Sequence, residues 1–481
     1  MRCTAGSHAE VDCSSMRQAQ LFALSLCFVQ LACASSSRSI KLQRLALKGP
    51  HCSAVPARRY PPQFASLGLD SSFASGAPTI TQLDMFRKTV VLVNDNYYDP
   101  QRIEPARMLA AIVDSLADFS NGALRVDGRT LVASSGDRWA IPTPDSIWQI
   151  PLAVRDLGER LVTRLPAQHP LAKGAFAEVL ATNALLSTLD PYSMLLPPGA
   201  LSSSRNAESV GGASLQKLRD AAIAADVASA TLPDGILHLR IGPFLPQTPG
   251  LIRAALEKTS GTSGVILDLR GNRGGTVEAT AQIIDLFVPS GTMLILNGRN
   301  SAEAKVAADD RLPSEHLKMI VLVDSLTSSG GEMVAGALRF GDRAILLGAR
   351  TSGNALVQVL YEYRTRDTNE LSGLSLSIAE AVLPGERVFE GVGIAPDVEV
   401  TSASERSGRA VPGCAPIGEK LATIRYDPSE ADPTVALSSR IITLAPTAAR
   451  ADLLAAAKSI AASARQLSAS FESSPLNQQP Q

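Results

Sequence analysis

Aromatic residues make up only 4% of this 481-residue chain, and no excess of positive charge accompanies them: 45 Lys and Arg stand against 46 Asp and Glu, a net charge of -1. Such a chain offers neither an electrostatic footprint for phosphate backbones nor platforms for stacked bases, which excludes nucleic acid as the expected partner. Histidine is scarce as well. His8, His51, His169, His238 and His316 lie far apart, and no grouping of Cys with His has metal-ligand spacing, so neither a metal nor another cofactor is implied. No apolar run reaches the roughly 20 residues that a bilayer-spanning helix needs, so no transmembrane span is expected in the mature chain. Hydrophobic residues nevertheless reach 45% and charged residues 19%, a balance that suits packed cores rather than disorder.

The start of the chain has the character of a targeting segment. From Met16, an alternative start, Arg17 leads into an apolar stretch over residues 21–32, and Ala32-Cys33-Ala34 supplies a small-x-small cleavage pattern. Residues 1–34 therefore read as a signal peptide, with a buried N-terminal helix as the bland alternative. Export to the periplasm or cell envelope is the expectation, and lipid attachment through Cys33 is a second option. Of six cysteines, only Cys52 and Cys414 then remain, and an oxidising compartment would allow them to pair without their spacing requiring it.

Residues 35–77, rich in Ser, Pro, Arg and Ala, read as a linker. Helical spacing runs from 79 to 116 with a break at 95–100, and again from 171 to a stop at Asp190-Pro191. Short strands and turns are expected between them, over 120–150. A mainly helical region thus covers 78–200, and a loop or short helix follows over 201–230. From there the pattern changes. Short β-rich runs at 236–241, 264–269, 293–296, 319–323 and 344–347 alternate with helical patterns at 249–258, 277–287 and 332–340. This predicts an α/β core over 231–400 around a buried, largely parallel sheet. The extension 401–481 is expected to hold one helix, near 448–467, and a polar, mobile tail.

Two segments carry possible chemistry. In Asp268-Leu-Arg-Gly-Asn-Arg-Gly-Gly275 a strand meets a glycine-rich turn and then a helix. Amides at such a turn can stabilise an anion, or the glycines can serve only a tight connection. In Thr327-Ser-Ser-Gly-Gly-Glu332 the hydroxyls can cap a helix, with Glu332 completing a capping box onto Ser329. Alternatively, one serine is a nucleophile with the Gly330 N–H as an oxyanion donor.

In order and combination these segments resemble the carboxyl-terminal processing (tail-specific) serine peptidases, whose fold is of the ClpP/crotonase-like type. That family's DLRxNPGG, SxSxSE, TFGKGxVQ and GxGIxPD segments correspond here to 268–275, 327–332, Thr351-Ser-Gly-Asn-Ala-Leu-Val-Gln358 and Gly391-Val-Gly-Ile-Ala-Pro-Asp397. Upstream, Asn96-Tyr-Tyr-Asp-Pro100 and Leu189-Asp-Pro-Tyr-Ser193 are similar to its YVDP and LDPHS. The resemblance implies Ser329 as nucleophile, the Gly330 and Gly274 amides as oxyanion hole, Gln358 as an orienting residue and a polypeptide as substrate or ligand. It also places Asn354 where the family has its general-base lysine. An amide is not appreciably basic near neutrality. Among ten lysines none lies between Lys318 and Lys420, which leaves His238 and His169 as the substitutes to look for. Without an amine, Asn354 and Gln358 are expected to hydrogen-bond Ser329 and each other. Two further departures stand beside this one. Residues 199–235 are too few for the family's peptide-binding PDZ domain, and Arg273 and Tyr192 replace its proline and histidine. Arg273 would either bind a substrate carboxylate or face solvent.

Three functions fit. The first is a serine endopeptidase acting on exported polypeptides with an unrecognised base. The second is a pseudo-peptidase that binds peptide or a partner protein, and the third is another enzyme using the same turn for a different oxyanion.

Overall fold

From Val227 onward strands and helices alternate, and the computed structural model of the chain gathers seven of the strands into one sheet. The structure describes residues 83–162, 174–196, 227–258, 261–288, 291–299, 316–364, 371–385, 387–402, 422–426 and 432–472, with a few single positions between them. The proposed signal peptide with Cys33, the linker with Cys52, residue Cys414 and the loop up to residue 226 lie outside the described residues.

In chain order the helical region holds α1 (Asp84–Asn96), α2 (Pro105–Asp118), a small sheet of β1 (Leu124–Asp127), β2 (Thr130–Ala133) and β3 (Arg138–Ala140), then α3 (Ile150–Val162), α4 (Gly174–Leu186) and β4 (Met194–Leu196). The core follows with β5 (Val227–Thr231), β6 (Ile236–Ile241), α5 (Thr248–Glu257), β7 (Gly264–Asp268), α6 (Val277–Asp285), β8 (Ile295–Gly298), β9 (Lys318–Val323), α7 (Gly330–Phe340) and β10 (Ile345–Gly348). Beyond it lie β11 (Leu356–Arg364), β12 (Leu371–Leu383), β13 (Arg387–Val388), β14 (Val398–Ser402), β15 (Ala422–Tyr426), α8 (Pro433–Leu444) and α9 (Arg450–Glu472).

The large sheet has the order β15-β14-β10-β9-β7-β6-β5, parallel throughout except for β5 against β6. Its central strands read as unbroken apolar runs because both faces are covered. Leu267, Val321 and Leu346 turn to the face packed by α5, α6 and α7. Their neighbours Ile266, Ile320, Leu322 and Ile345 turn to the other face, under α8 and α9. A second sheet is built on β12, which pairs with β11, β13, β4 and β8. Through β4, and through Leu195 packed in one core with Leu374 and Leu376, the helical region is fastened to it.

Several elements depart from the sequence expectation. Strand β5 occupies the stretch read as a loop, since Val-Ala-Ser-Ala-Thr is too small and polar to announce a strand. The extension holds two helices rather than one: Asp432 caps α8 with its side chain and Pro433 fills the first position. Helix α9 continues to Glu472, past the start of the expected polar tail. Helix α3 and the β11–β12 hairpin had no counterpart in the apolar pattern.

Candidate active site

Strand β7 ends in a turn organised by one buried side chain. Asn272 donates through Nδ2 to the Ile241 and Gly242 carbonyls (3.1 and 2.6 Å), and its Oδ1 accepts the Gly274 N–H at 2.7 Å. Its own carbonyl accepts the Ser328 N–H at 2.9 Å, which draws in the turn after β9. Asp324 reinforces that approach by accepting the Gly271 and Thr327 N–H groups at 3.0 and 2.8 Å.

Ser329 stands between β9 and α7 with φ 53 and ψ -121. A side chain other than glycine is strained in that region and stays there only where its surroundings over-determine it. The surroundings are close. A Cβ on Gly274 (φ +83) would lie 2.5 Å from the Gly330 nitrogen, and one on Gly330 would lie 2.6 Å from Thr280 Oγ1. The two glycine-rich turns therefore touch backbone to backbone, bringing Ser329, Gly330 and Gly274 together. Gly330 is the first residue of α7, where a helix leaves amide hydrogens without intrahelical acceptors. The Gly274 N–H differs: it is spent on Asn272 Oδ1, which removes it as the second oxyanion donor expected from the sequence.

Glu332, fully buried in the first turn of α7, reaches across to the next loop. Its Oε1 accepts the Gly353 N–H (2.8 Å) and the Thr351 hydroxyl. Its Oε2 accepts the N–H groups of Ser329 (3.1 Å) and Asn354 (2.8 Å) and the Ser352 hydroxyl (3.1 Å). Burial pushes this carboxyl up, and the donors around it pull the other way. Asn354 is thus held beside the Ser329 turn by its backbone, while its Oδ1 accepts the Leu356 N–H at 3.2 Å. Gln358 sits at a bulge in the β11–β12 pairing and donates to the Leu356 carbonyl (2.9 Å) and the Ser377 hydroxyl (3.3 Å). The Asn354 side-chain oxygen and the Gln358 side-chain N–H groups therefore go to other partners, against the expectation that the two residues would bond each other and Ser329.

None of the candidate substitute bases is hydrogen-bonded to Ser329. His238 lies 3.2 Å from Asp268 Oδ2, on the face of the sheet covered by α8 and opposite α7. His169 accepts the Leu171 N–H through Nδ1. Lys318 opens β9, at the end of the strand away from Ser329, and donates to the Ile442 carbonyl at 3.0 Å. Arg273 is exposed. Burial alone would raise Asp268, but its hydrogen bonds from Arg270 and His238 win and hold it well below the usual carboxylate range.

Three further groups at the site have roles that the sequence did not disclose. Glu332 entered the sequence reading only as a capping residue. Glu390, next to Gly391 of the matched motif, accepts the Ala355 N–H at 2.8 Å, and burial together with Asp190, Glu380 and Glu332 pushes its carboxyl up to about 8. Tyr192 donates its hydroxyl to the Gly353 carbonyl at 3.4 Å. Among the described residues, no group of His, Cys, Asp and Glu could hold a metal ion, and no helix is long and apolar enough to cross a membrane.

Residues 235–400 match the family model for peptidase family S41. The chain is similar to carboxyl-terminal-processing peptidase 1, chloroplastic, of Arabidopsis thaliana, with 36% identity over 172 residues, covering 36% of this chain and 34% of that one. It is also similar to the carboxyl-terminal-processing protease of Synechocystis sp., with 28% identity over 177 residues, covering 36% and 40%. The match thus spans well under half the length of either relative. Among solved structures, a photosystem II D1 C-terminal processing protease aligns with 67% of this chain and 93% of its own at 17% identity and a TM-score of 0.42.

Proposed function

We propose, from the match of residues 235–400 to the peptidase family S41 model, that the chain is a serine-type peptidase of low turnover, acting on polypeptides exported to the same compartment, with Ser329 as nucleophile. The conformation of Ser329 carries this reading. A serine held at φ 53 on a strand-to-helix turn, with the Gly330 amide beside it, presents its oxygen at a helix N-terminus as a strained nucleophile turn does. In the acylation step, Ser329 Oγ bonds to the scissile carbonyl carbon and the Gly330 N–H takes up the developing oxyanion; collapse of that adduct breaks the C–N bond, the amine leaves with a proton, and water later hydrolyses the ester. The Oγ proton must pass to an acceptor as the first bond forms. Position 354 offers an amide, so water has to serve, and the step is slow. Loss of a nucleophile's base costs up to about 10⁶-fold in kcat, while oxyanion donors and binding leave about 10³–10⁴-fold over water.

A second reading, a pseudo-peptidase that only binds extended peptide or a partner, is favoured by one observation: the Asn354 side-chain oxygen and the Gln358 side-chain N–H are taken up by the Leu356 backbone. One set of proteins separates the two. The chain from residue 35, its Ser329→Ala variant and its Asn354→Lys variant are incubated with an unfolded protein, and fragments are read by mass spectrometry. Slow cleavage by the natural sequence that Ser329→Ala abolishes supports the peptidase. Cleavage by Asn354→Lys alone makes the natural chain a silenced scaffold. Silence from all three refutes the nucleophile role.

A further inference from the structure

Two sequence motifs, Asn96–Pro100 and Leu189–Ser193, precede the matched S41 segment, and Tyr192 of the second touches the site described so far. In the structure they converge on one buried residue of β12. Ser377 is completely buried. Its carbonyl accepts the Tyr98 N–H (3.2 Å), its N–H donates to Ser193 Oγ (3.1 Å), and its hydroxyl accepts from Gln358 Nε2 (3.3 Å). Ser193 is held in turn by Asp190, whose carboxylate accepts the Ser193 hydroxyl and the N–H groups of Tyr192 and Ser193, all at 2.7 Å. The opening carbonyl of this turn, Leu189, accepts the Tyr97 hydroxyl at 3.0 Å and an Arg102 N–H at 3.1 Å.

We infer that the 189–193 turn is a working part of the active site: Asp190 and Ser193 position Gln358 through Ser377, and Tyr192 positions the backbone that carries residue 354. This rests on the Ser329 site proposed above. Docking alone does not call for such a turn. Strand β4 already pairs with β12, and Leu195 packs with Leu374 and Leu376. An apolar turn would dock as well without burying Asp190, Ser193 and Ser377, whose polar groups must be satisfied in full. What the polar version adds is direction. The bulge between Val357 and Gln358 turns the glutamine toward Ser377, a device found beside active sites, and the relay fixes where its amide points. Gln358 and Ser193 share no hydrogen bond, so an effect of one on the other has to pass through Ser377.

The test uses the full chain labelled with ¹⁵N-glutamine, with the Gln358 side-chain amide assigned by its loss in Gln358→Ala. Ser329 reactivity is read separately as the rate of fluorophosphonate labelling. Ser193→Ala is expected to shift the Gln358 amide signal as Ser377→Ala does, and both to slow labelling by about tenfold, the size of a lost hydrogen bond in a positioned group. Tyr192→Phe should slow labelling by less and leave the Gln358 signal in place. Glu178→Gln, which alters a comparable buried carboxyl that accepts the Phe86 N–H, controls for general destabilisation and should do neither. A Gln358 signal unmoved by Ser193→Ala overturns the relay. A natural chain that takes no label refutes the nucleophile role instead, and the amide signal still decides the relay.

Discussion

Each face of the large sheet buries a carboxylate at the end of a strand or the start of a helix, and the two are satisfied by different means. Asp268 meets a cation. Arg270 donates Nε at 2.8 Å to one oxygen and Nη2 at 2.6 Å to the other, then continues to Asp432 at the start of α8. Glu332, under α7, accepts only from neutral groups: the amides and hydroxyls of Ser329 and of residues 351–354. The first arrangement is a pin that holds the C-terminal helices down. The second gives a loop its shape, because several weak directional bonds specify backbone positions that one ion pair does not. Stability is concentrated on one face and geometry on the other.

The sharpest way to break this comparison is on the pinned side. Asp268→Ala leaves Arg270 and His238 without their buried acceptor and should cost about 3 kcal/mol in denaturant unfolding, while fluorophosphonate labelling per folded molecule stays as in the natural chain. A loss of labelling comparable to the loss of stability would abolish the distinction. On the shaped side, Gly274→Ala should do the opposite. Its left-handed backbone costs an alanine about 1–2 kcal/mol, and the new methyl would meet the Gly330 nitrogen. Labelling should therefore vanish for a smaller drop in melting temperature.

Acid and base separate carboxyls in the same way. Asp268 titrates lower in the folded than in the unfolded chain, so its stabilisation is full above about pH 4 and fades as pH falls through its folded value. Asp268→Asn should flatten that limb of the stability curve. Glu390 is shifted from 4.5 to about 8. Between those values the unfolded chain has lost a proton that the folded chain keeps, so stability declines as pH rises from 4.5 to 8. Glu390→Gln should remove the decline, measured as melting temperature against pH. The smallest effect belongs to exposed pairs such as Arg138–Asp127 at 3.0 Å: Arg138→Ala should change stability by less than about 0.5 kcal/mol.

The central strands were legible because a strand covered on both faces must be apolar, as at 265–267 and 319–323. Helix α8 was not. Its Thr, Val, Ile and Ser residues have modest helix propensity, and the packing of Ile441 and Ile442 on the sheet decides the matter. Around the site, motif order identified which turns would meet: Ser329 and Gly330 against Gly274, with residue 354 alongside. The polar wiring was hidden. Glu332 reaches partners 19 to 22 residues away, and Ser193 meets Ser377 across 184 positions. No local pattern encodes distances of that kind. The Gly274 amide was misread for a related reason, since only the folded turn shows that Asn272 Oδ1 takes it.

The bracing of Ser329 also has a consequence in time. Asn272 lies before the serine in the chain, but the turn that Glu332 gathers lies after it, and Glu390 holds the next amide of that turn from later still. Chains emerge from the ribosome at about 5–20 residues per second. For several seconds a nascent chain thus contains the serine without the loop that supports its strained backbone. The nucleophile is armed late, and a chain cut short before Glu390 would carry the residue but not its geometry.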